Sequence, residues 1–197
     1  MTTSAQAPVA ARTMAEFIDL AGLGDDAKAA LAPAHGPRQY VQALLDQKLY
    51  PDAVRFLAHA LPKREGIWWA WVCARRASSD APAPLEMTAL DATEKWITQP
   101  TDENRRAAMR AAEAAGLATP AGCTALAAFV SGGSLGPANT PPVPPGEFLT
   151  AKAITGAVVS AAVGGDAAKA PERYQGFIAQ GLDVVNRLQL WGRNDDA

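Results

Sequence analysis

The chain has 197 residues, 49% of them hydrophobic, and a formal net charge of −2. A chain of this size and composition can bury the core of a single domain without metals or disulfides. The small negative charge argues against a nucleic-acid-binding protein, which needs a surplus of Lys and Arg on one face. The longest apolar run, residues 153–163, is about half the length of a membrane-spanning helix, so membrane insertion is not expected.

The first part of the chain predicts short helices separated by glycines. Residues 1–11 are small and polar without periodicity, which predicts a disordered lead before a helical domain over 12–190. From Met14, apolar residues recur at three- and four-residue spacing until Gly22. After Gly24, two aspartates suit the positive end of a second short helix.

The block 38–76 predicts three helices, of which the second and third start at Pro51 and Pro62. The third helix carries the segment 67–76, IWWAWVCARR, with three of the chain's five tryptophans. Because indole rings bury large apolar areas, this segment is expected at the centre of a helical core. Prolines near helix starts favour tight antiparallel turns, so the helices are expected to pack as hairpins.

The second half of the chain also predicts helices. Thr101 begins one of the clearest, with acids in the first turn, alanines in the interior and Gly116 as the stop signal. The helix 148–163 is apolar on nearly every face, which predicts an enclosed position. No stretch alternates with period two, so the chain predicts an all-α fold, a single compact domain of about eight to ten helices. The later helices are predicted over 85–98, 101–116, 119–130, 148–163 and 171–190, before a polar tail over 191–197.

A proline- and glycine-rich segment interrupts these helices. Residues 131–146, SGGSLGPANTPPVPPG, carry five of the 15 prolines and four of the 16 glycines. The residues 131–147 therefore predict a long connector with polyproline II character. It is either a strap over the apolar helices or an exposed docking ligand for an aromatic groove on another protein. Leu135 and Val143 offer apolar anchors in both cases.

Sequence motifs for catalysis are missing. The chain has two histidines, His35 in a Pro/Gly turn and His59 on a helix, and two cysteines, Cys73 and Cys123, none at metal-ligand spacing. It has neither a G-x-S-x-G elbow nor a G-x-x-x-x-G-K-[ST] loop. We therefore expect no catalytic residue, no cofactor and no metal site. With no signal peptide and no paired cysteines, a cytoplasmic protein is expected.

Aromatic and basic residues are the candidates for contact with another protein. Interfaces favour Trp and Arg, and so dense a group of tryptophans is expected to leave at least one ring partly exposed. The alternative is that the arginines form solvated helix faces with internal ion pairs, because acids lie among them. The candidate residues are Trp68, Trp69, Trp71, Trp96, Arg75, Arg76, Arg105 and Arg106, with Leu135 and Val143 of the connector.

Three passages together resemble an uncharacterised family of all-helical bacterial proteins. They are 40–75 with the tryptophans, EKWITQPTDENRRAAMRAAEAAG, and TPAGCTALAAFVSGGSLGPANTPPVPP. The resemblance covers residues 36–185 and is most specific in the tryptophan, Gln-Pro-Thr and Gly-Gly-Ser-Leu passages. It implies an accessory protein associated with type VI secretion gene clusters, such as an adaptor or chaperone for an effector or spike component. It supplies no catalytic residues.

The sequence therefore predicts a non-enzymatic cytoplasmic adaptor or chaperone whose partner is another protein. Two alternatives stay open. The first is an enzyme with an unrecognised site around His59, Cys73 or Cys123. The second is a homo-oligomeric structural protein whose basic and aromatic faces self-associate, and the oligomeric state is left open.

Overall fold

The chain folds into ten α-helices and one 3-10 turn within the residues that the computed structural model describes. The described residues are 14–31, 36–78, 83–137 and 139–191. These ranges contain no strand, which confirms the all-α prediction. The predicted lead over 1–11 and the predicted turn at His35 lie outside them.

The observed helices follow the predicted ones closely, and each lies within a few residues of its expected position. Within the described ranges, every helix is too short or too polar to cross a lipid bilayer. The helices are α1 (Met14–Ala21), α2 (Asp25–Ala29), α3 (Pro37–Asp46), α4 (Tyr50–Ala60), α5 (Lys63–Ala77), α6 (Pro84–Thr98), α7 (Asp102–Ala115), α8 (Pro120–Phe129), α9 (Leu149–Val163) and α10 (Ala170–Leu188), with the 3-10 turn at Ala167–Lys169.

Local signals account for the ends of α7 and α8. The Thr101 hydroxyl oxygen accepts a hydrogen bond from the backbone nitrogen of Asn104 at 3.2 Å, and that of Thr119 accepts one from Gly122 at 3.0 Å. Gly116 ends α7 with φ at 87°, in the left-handed region that glycine adopts without strain. A Cβ on Gly122 would lie 2.1 Å from the carbonyl oxygen of Gly116, so the turn between the helices accepts only glycine there.

Helices α5 and α6 form an antiparallel pair. Trp71 donates from its indole nitrogen to the carbonyl oxygen of Leu90 at 3.0 Å, and Arg64 Nε donates to that of Ile97 at 2.8 Å. The two bonded positions therefore advance in opposite directions along the two helices. Beyond this pair, α7 packs on α6, α8 on α7 and α9 on α8. From α5 to α9, each helix thus packs on the helix that precedes it in the chain.

Trp69 lies at the centre of the core with no exposed surface, between α5 and α10. The close approach depends on Gly181, where a Cβ would lie 3.0 Å from the indole ring. Helix α9 packs against α4, α5, α8 and α10, and eight of its fifteen residues are buried. The prediction of an enclosed helix there is confirmed.

Trp191, the first residue of the range predicted as a polar tail, packs against the core. Trp191 is only 7% exposed, and its ring centroid lies 6.1 Å from that of Phe56 in α4. An indole contributes a large apolar area, so it packs onto the core where a polar residue would remain in water. The remainder of the tail, 192–197, lies outside the described residues.

Candidate functional site

Arg105 fastens the start of the connector to α7. Its guanidinium donates from Nη1 to the carbonyl oxygen of Phe129 at 2.7 Å and from Nη2 to that of Ser134 at 2.9 Å. These carbonyls lie at the end of α8 and just beyond it, where no helical amide remains to bind them. The guanidinium also lies over the Phe129 ring, 4.8 Å from its centroid. Arg105 is therefore an internal C-cap for a neighbouring helix.

Three further side chains complete this arrangement. Asp102 Oδ1 accepts from Arg105 Nη2 at 2.6 Å, and its Oδ2 accepts from Arg106 Nε at 2.7 Å. Both hydrogen bonds lower the pKa of the Asp102 carboxyl, and the bond from Arg106 has the larger effect. Arg106 Nη1 also donates to the carbonyl oxygen of Gly136 at 3.0 Å, and Lys63 Nζ donates to that of Ser131 at 3.0 Å. We name the group of Lys63, Asp102, Arg105 and Arg106 the connector anchor.

The Gly-Gly-Ser-Leu passage forms the neck of a closed loop. Leu135 donates from its backbone nitrogen to the carbonyl oxygen of Val143 at 2.8 Å. The Ser134 hydroxyl oxygen accepts from the backbone nitrogens of Gly136 at 3.1 Å and Val143 at 3.0 Å. Gly133 has φ at 65°, and a Cβ there would lie 3.0 Å from the Arg105 guanidinium. A glycine is thus required where the connector passes over the anchor.

Beyond the neck the connector is open to solvent. We define the proline loop as residues 137 and 139–146, since residue 138 lies outside the described part of the chain. All of its residues are exposed except Pro145, which is half-buried, and Val143 is 52% exposed. Leu135, by contrast, packs against the core. The beginning of the connector is therefore held against the core, as the strap alternative predicted, and its later part is exposed to solvent.

The structure buries three of the predicted partner-binding residues. Trp69, Trp96 and Arg105 are 0%, 6% and 4% exposed. The two indole rings fill the core between helices, and every described hydrogen bond of the Arg105 guanidinium stays inside the chain. All three side chains are therefore enclosed within the described part of the chain. Arg106 is partly exposed, but its guanidinium also donates hydrogen bonds to Asp102 and to the connector.

Trp68, Trp71 and Arg75 remain available at the surface. They lie at positions i, i+3 and i+7 of α5, which places them on one face of the helix. Both rings are half-buried, and the Arg75 guanidinium lies 5.2 Å from the centroid of the Trp71 ring. This aromatic stripe has the composition that protein interfaces favour.

Arg76, the next residue along, lines a cleft at the C-terminal end of α5. The cleft has a volume of about 470 Å³ and is also lined by Arg173 of α10. Helix α5 has 15 residues and is therefore about 22 Å long. The cleft and the connector anchor lie at opposite ends of this helix, since Lys63 begins it and Arg76 is next to its last residue.

The alternative of an enzyme with an unrecognised site named His59, Cys73 and Cys123 as its residues. His59 is buried, its Nδ1 lies 2.8 Å from the carbonyl oxygen of Arg55, and burial lowers the pKa of its ring. Burial raises the pKa of the Cys73 thiol and that of Cys123, whose sulfur contacts the carbonyl oxygen of Leu117. None of the three lines the cleft. Within the described ranges, no group of three or more His, Cys, Asp and Glu is placed to hold a metal ion.

Sequence reasoning missed the roles of Lys63, Asp102, Ser134 and Arg173. The spacing of Asp102 with arginines three and four residues later was a usable signal, because such pairs meet on one helix face. The roles of Lys63 and Ser134 had no such signal, since each bonds to residues of a distant or irregular segment.

The fold and the anchored loop define an all-α domain with an ordered proline-rich connector. The chain belongs to a family of unknown function (DUF6931), whose model matches residues 40–185. The matched range contains the tryptophan segment, the connector anchor and the whole proline loop. No curated protein and no solved structure gives a significant match.

Proposed function

We propose that this chain is a non-enzymatic protein-interaction module that presents its proline loop to an aromatic groove on a partner protein. The observation that carries the proposal is a loop pinned at its neck and exposed at its tip. Four prolines at 141, 142, 144 and 145 restrict the backbone before binding, and a restricted ligand loses little conformational entropy when it docks. Val143 lies between them as an exposed apolar anchor.

The cellular role that fits such a module is a cytoplasmic adaptor or chaperone accessory to a bacterial type VI secretion system. The support comes from the resemblance carried by the tryptophan, Gln-Pro-Thr and Gly-Gly-Ser-Leu passages. The Gln-Pro-Thr passage leads into the cap of α7, and the Gly-Gly-Ser-Leu passage is held by Arg105 of that helix. The partner proposed is an effector or a spike component.

Affinity capture with the full-length chain from its native cell tests both the proline loop as docking element and the role in secretion. The informative variant replaces Pro141, Pro142, Pro144 and Pro145 with alanine and leaves the neck hydrogen bonds in place. The matched control is Leu188→Ser, which removes another exposed apolar side chain, on α10. We expect a secretion effector or spike component with wild type and control, and its loss with the four-alanine variant.

Two results would contradict the proposal. Unchanged capture by the four-alanine variant would exclude the proline loop as the docking element. Captured proteins without any secretion component would exclude the secretion role.

The aromatic stripe favours a second contact surface, because it leaves Trp68 and Trp71 half-buried beside an exposed Arg75. The double variant Trp68→Ala, Arg75→Ala tests it by light scattering and capture. A wild-type oligomer that dissociates in the variant would assign the stripe to self-association. A monomer that loses its captured partner would assign it to the partner, and no change in either measurement would remove the stripe from the proposal.

A further inference from the structure

The cleft beside Arg76 is walled by small residues from several helices. Its volume of about 470 Å³ falls in the range of about 300 to 1,000 Å³ typical of ligand pockets. Because the walls carry few long side chains, a bound chain can approach the backbone closely. The small lining residues are Ala74, Ala77, Ala83, Ala161, Gly164 and Gly165.

Two arginine side chains line this cleft, and only Arg173 makes hydrogen bonds to the described residues. Arg76 has no hydrogen-bond or ion-pair partner among the described residues. Arg173 is held in place, since its Nε donates to the carbonyl oxygen of Ala162 at 2.7 Å and its Nη2 to that of Asp166 at 2.8 Å. These bonds leave Nη1 of Arg173 unused. The lining includes the acid Glu86, which makes no ion pair with Arg76.

Four helix ends meet around the cleft. The first turns of α6 and α8 begin at the cleft, at Ala83 and Pro120, and contribute partial positive charge. The final turns of α5 and α9 also end there and contribute partial negative charge, and one carbonyl of each accepts a side-chain hydrogen bond. The Ser78 hydroxyl donates to the carbonyl oxygen of Ala74 at 3.0 Å, and Arg173 binds that of Ala162. An unpaired guanidinium in such a setting is suited to a carboxylate, which it binds with two parallel hydrogen bonds.

Two exposed apolar residues are immediate chain neighbours of residues that line the cleft. Leu85 is 54% exposed and precedes Glu86, and Val163 is 52% exposed and precedes Gly164. A small anion would leave both uncovered, whereas a peptide would cover them with its own apolar side chains. The Glu86 carboxylate is also available to accept from a backbone N–H of such a peptide.

We propose that this cleft binds the C-terminal end of a partner polypeptide, with Arg76 and Arg173 on its terminal carboxylate and Leu85 and Val163 against the apolar side chains that precede it. The terminal carboxylate supplies the negative charge that the two arginines lack. The site is independent of the proline loop, because it lies at the opposite end of α5.

Two immobilised peptide libraries with four random C-terminal residues test the proposal on the full-length chain. One library ends in free carboxylates and the other in carboxamides. We expect selection only from the carboxylate library, with apolar residues near the end. For the best peptide, amidation and the variant Arg76→Gln are each expected to weaken binding by at least about tenfold, since a charge-assisted hydrogen bond is lost.

Arg110→Gln is the matched control, because Arg110 is exposed on α7 and lies outside the cleft lining. It should leave binding unchanged, as should the four-alanine variant of the proline loop, so a failure of the loop proposal is distinguishable from a failure here. Thermal unfolding verifies that Arg76→Gln is folded.

Four results would overturn the proposal. Selection of no peptide from the carboxylate library, equal binding of amidated peptides, or full binding by Arg76→Gln would each exclude a carboxylate site at Arg76. Displacement of the best peptide by acetate or inorganic phosphate at equal concentration would show a site for simple anions and exclude the peptide.

Discussion

The indole nitrogen of Trp69 on α5 donates a hydrogen bond to the carbonyl oxygen of Phe177 on α10, 2.8 Å away and 108 residues later in the chain. The ring reaches that carbonyl because Gly181, one turn further along α10, has no side chain. A buried indole N–H without an acceptor would weaken the core. The contact therefore satisfies a polar atom and sets the spacing of two central helices at once.

The variant Gly181→Ala tests this spacing. We expect it to lower the free energy of unfolding by about 1 to 2 kcal/mol, because the new Cβ presses on a buried ring that has little room to move. The matched control is Gly176→Ala, an exposed position on the same helix with no heavy atom within 4 Å of a built Cβ. It should raise the free energy of unfolding by about 0.5 to 1 kcal/mol, as alanine favours a helix over glycine. Equal effects in urea unfolding would show that α10 can shift away from Trp69.

The variant Arg105→Lys tests the connector anchor. A lysine keeps the charge but cannot hold the carbonyls of Phe129 and Ser134 together with Asp102, so buried acceptors lose their donors. We expect the free energy of unfolding to fall by about 2 to 3 kcal/mol. The control Arg110→Lys changes an exposed residue on the same helix and should stay within about 0.5 kcal/mol.

Limited proteolysis of the same variants provides a second measurement. With wild type and the control, a broad-specificity protease should first cut within the exposed residues 139–146. With Arg105→Lys, early cuts should extend back towards residue 131. An unchanged cutting pattern would mean that the hydrogen bonds of the Arg105 guanidinium are not needed to hold the connector.

Neighbouring glycines of the connector are expected to respond differently to alanine. Gly133 has φ at 65° and faces the Arg105 guanidinium, whereas a Cβ on Gly132 has no heavy atom within 4 Å. Gly133→Ala should therefore lower the free energy of unfolding by about 1 to 2 kcal/mol, and Gly132→Ala by less than about 0.5 kcal/mol. Chemical unfolding of the two variants measures the difference, and similar losses would contradict the backbone assignment at Gly133.

Stability is expected to depend on the protonation of His59. Burial lowers the pKa of this ring below the ordinary value of 6.5, and the positive charges of Arg55 and Lys152 act in the same direction. Between the lowered pKa and 6.5 the unfolded chain binds more protons than the folded one, so stability falls as pH falls through this window and is fully present above it. This residue can contribute a slope of at most about 1.4 kcal/mol per pH unit.

Urea unfolding between pH 5 and 7.5 measures that slope. The variant His59→Gln should flatten it, whereas His35→Gln, at the chain's other histidine, is the control for loss of a histidine. An equally steep slope in His59→Gln would assign the pH dependence to other groups.

The helices were predictable because their signals are local. The cap at Thr101 and the stop at Gly116 act within one or two turns, and the apolar spacing of each helix lies in consecutive residues. The central position of the tryptophan segment followed in the same way from its large apolar area. These features depend on the covalent order of the residues and on elementary conformational preferences.

The burial and the hydrogen-bond partners of individual polar and aromatic side chains depended on tertiary contacts. Arg105 resembles any solvated arginine until Phe129 and Ser134, 24 and 29 residues later, bring their carbonyl oxygens to it. Trp191 resembles part of a tail until Phe56 lies beside it. The cleft is likewise absent from any one segment, because ends of separate helices form its walls. Burial and polar pairing depend on where residues distant in the sequence lie in the folded chain. Local sequence preferences do not specify those positions.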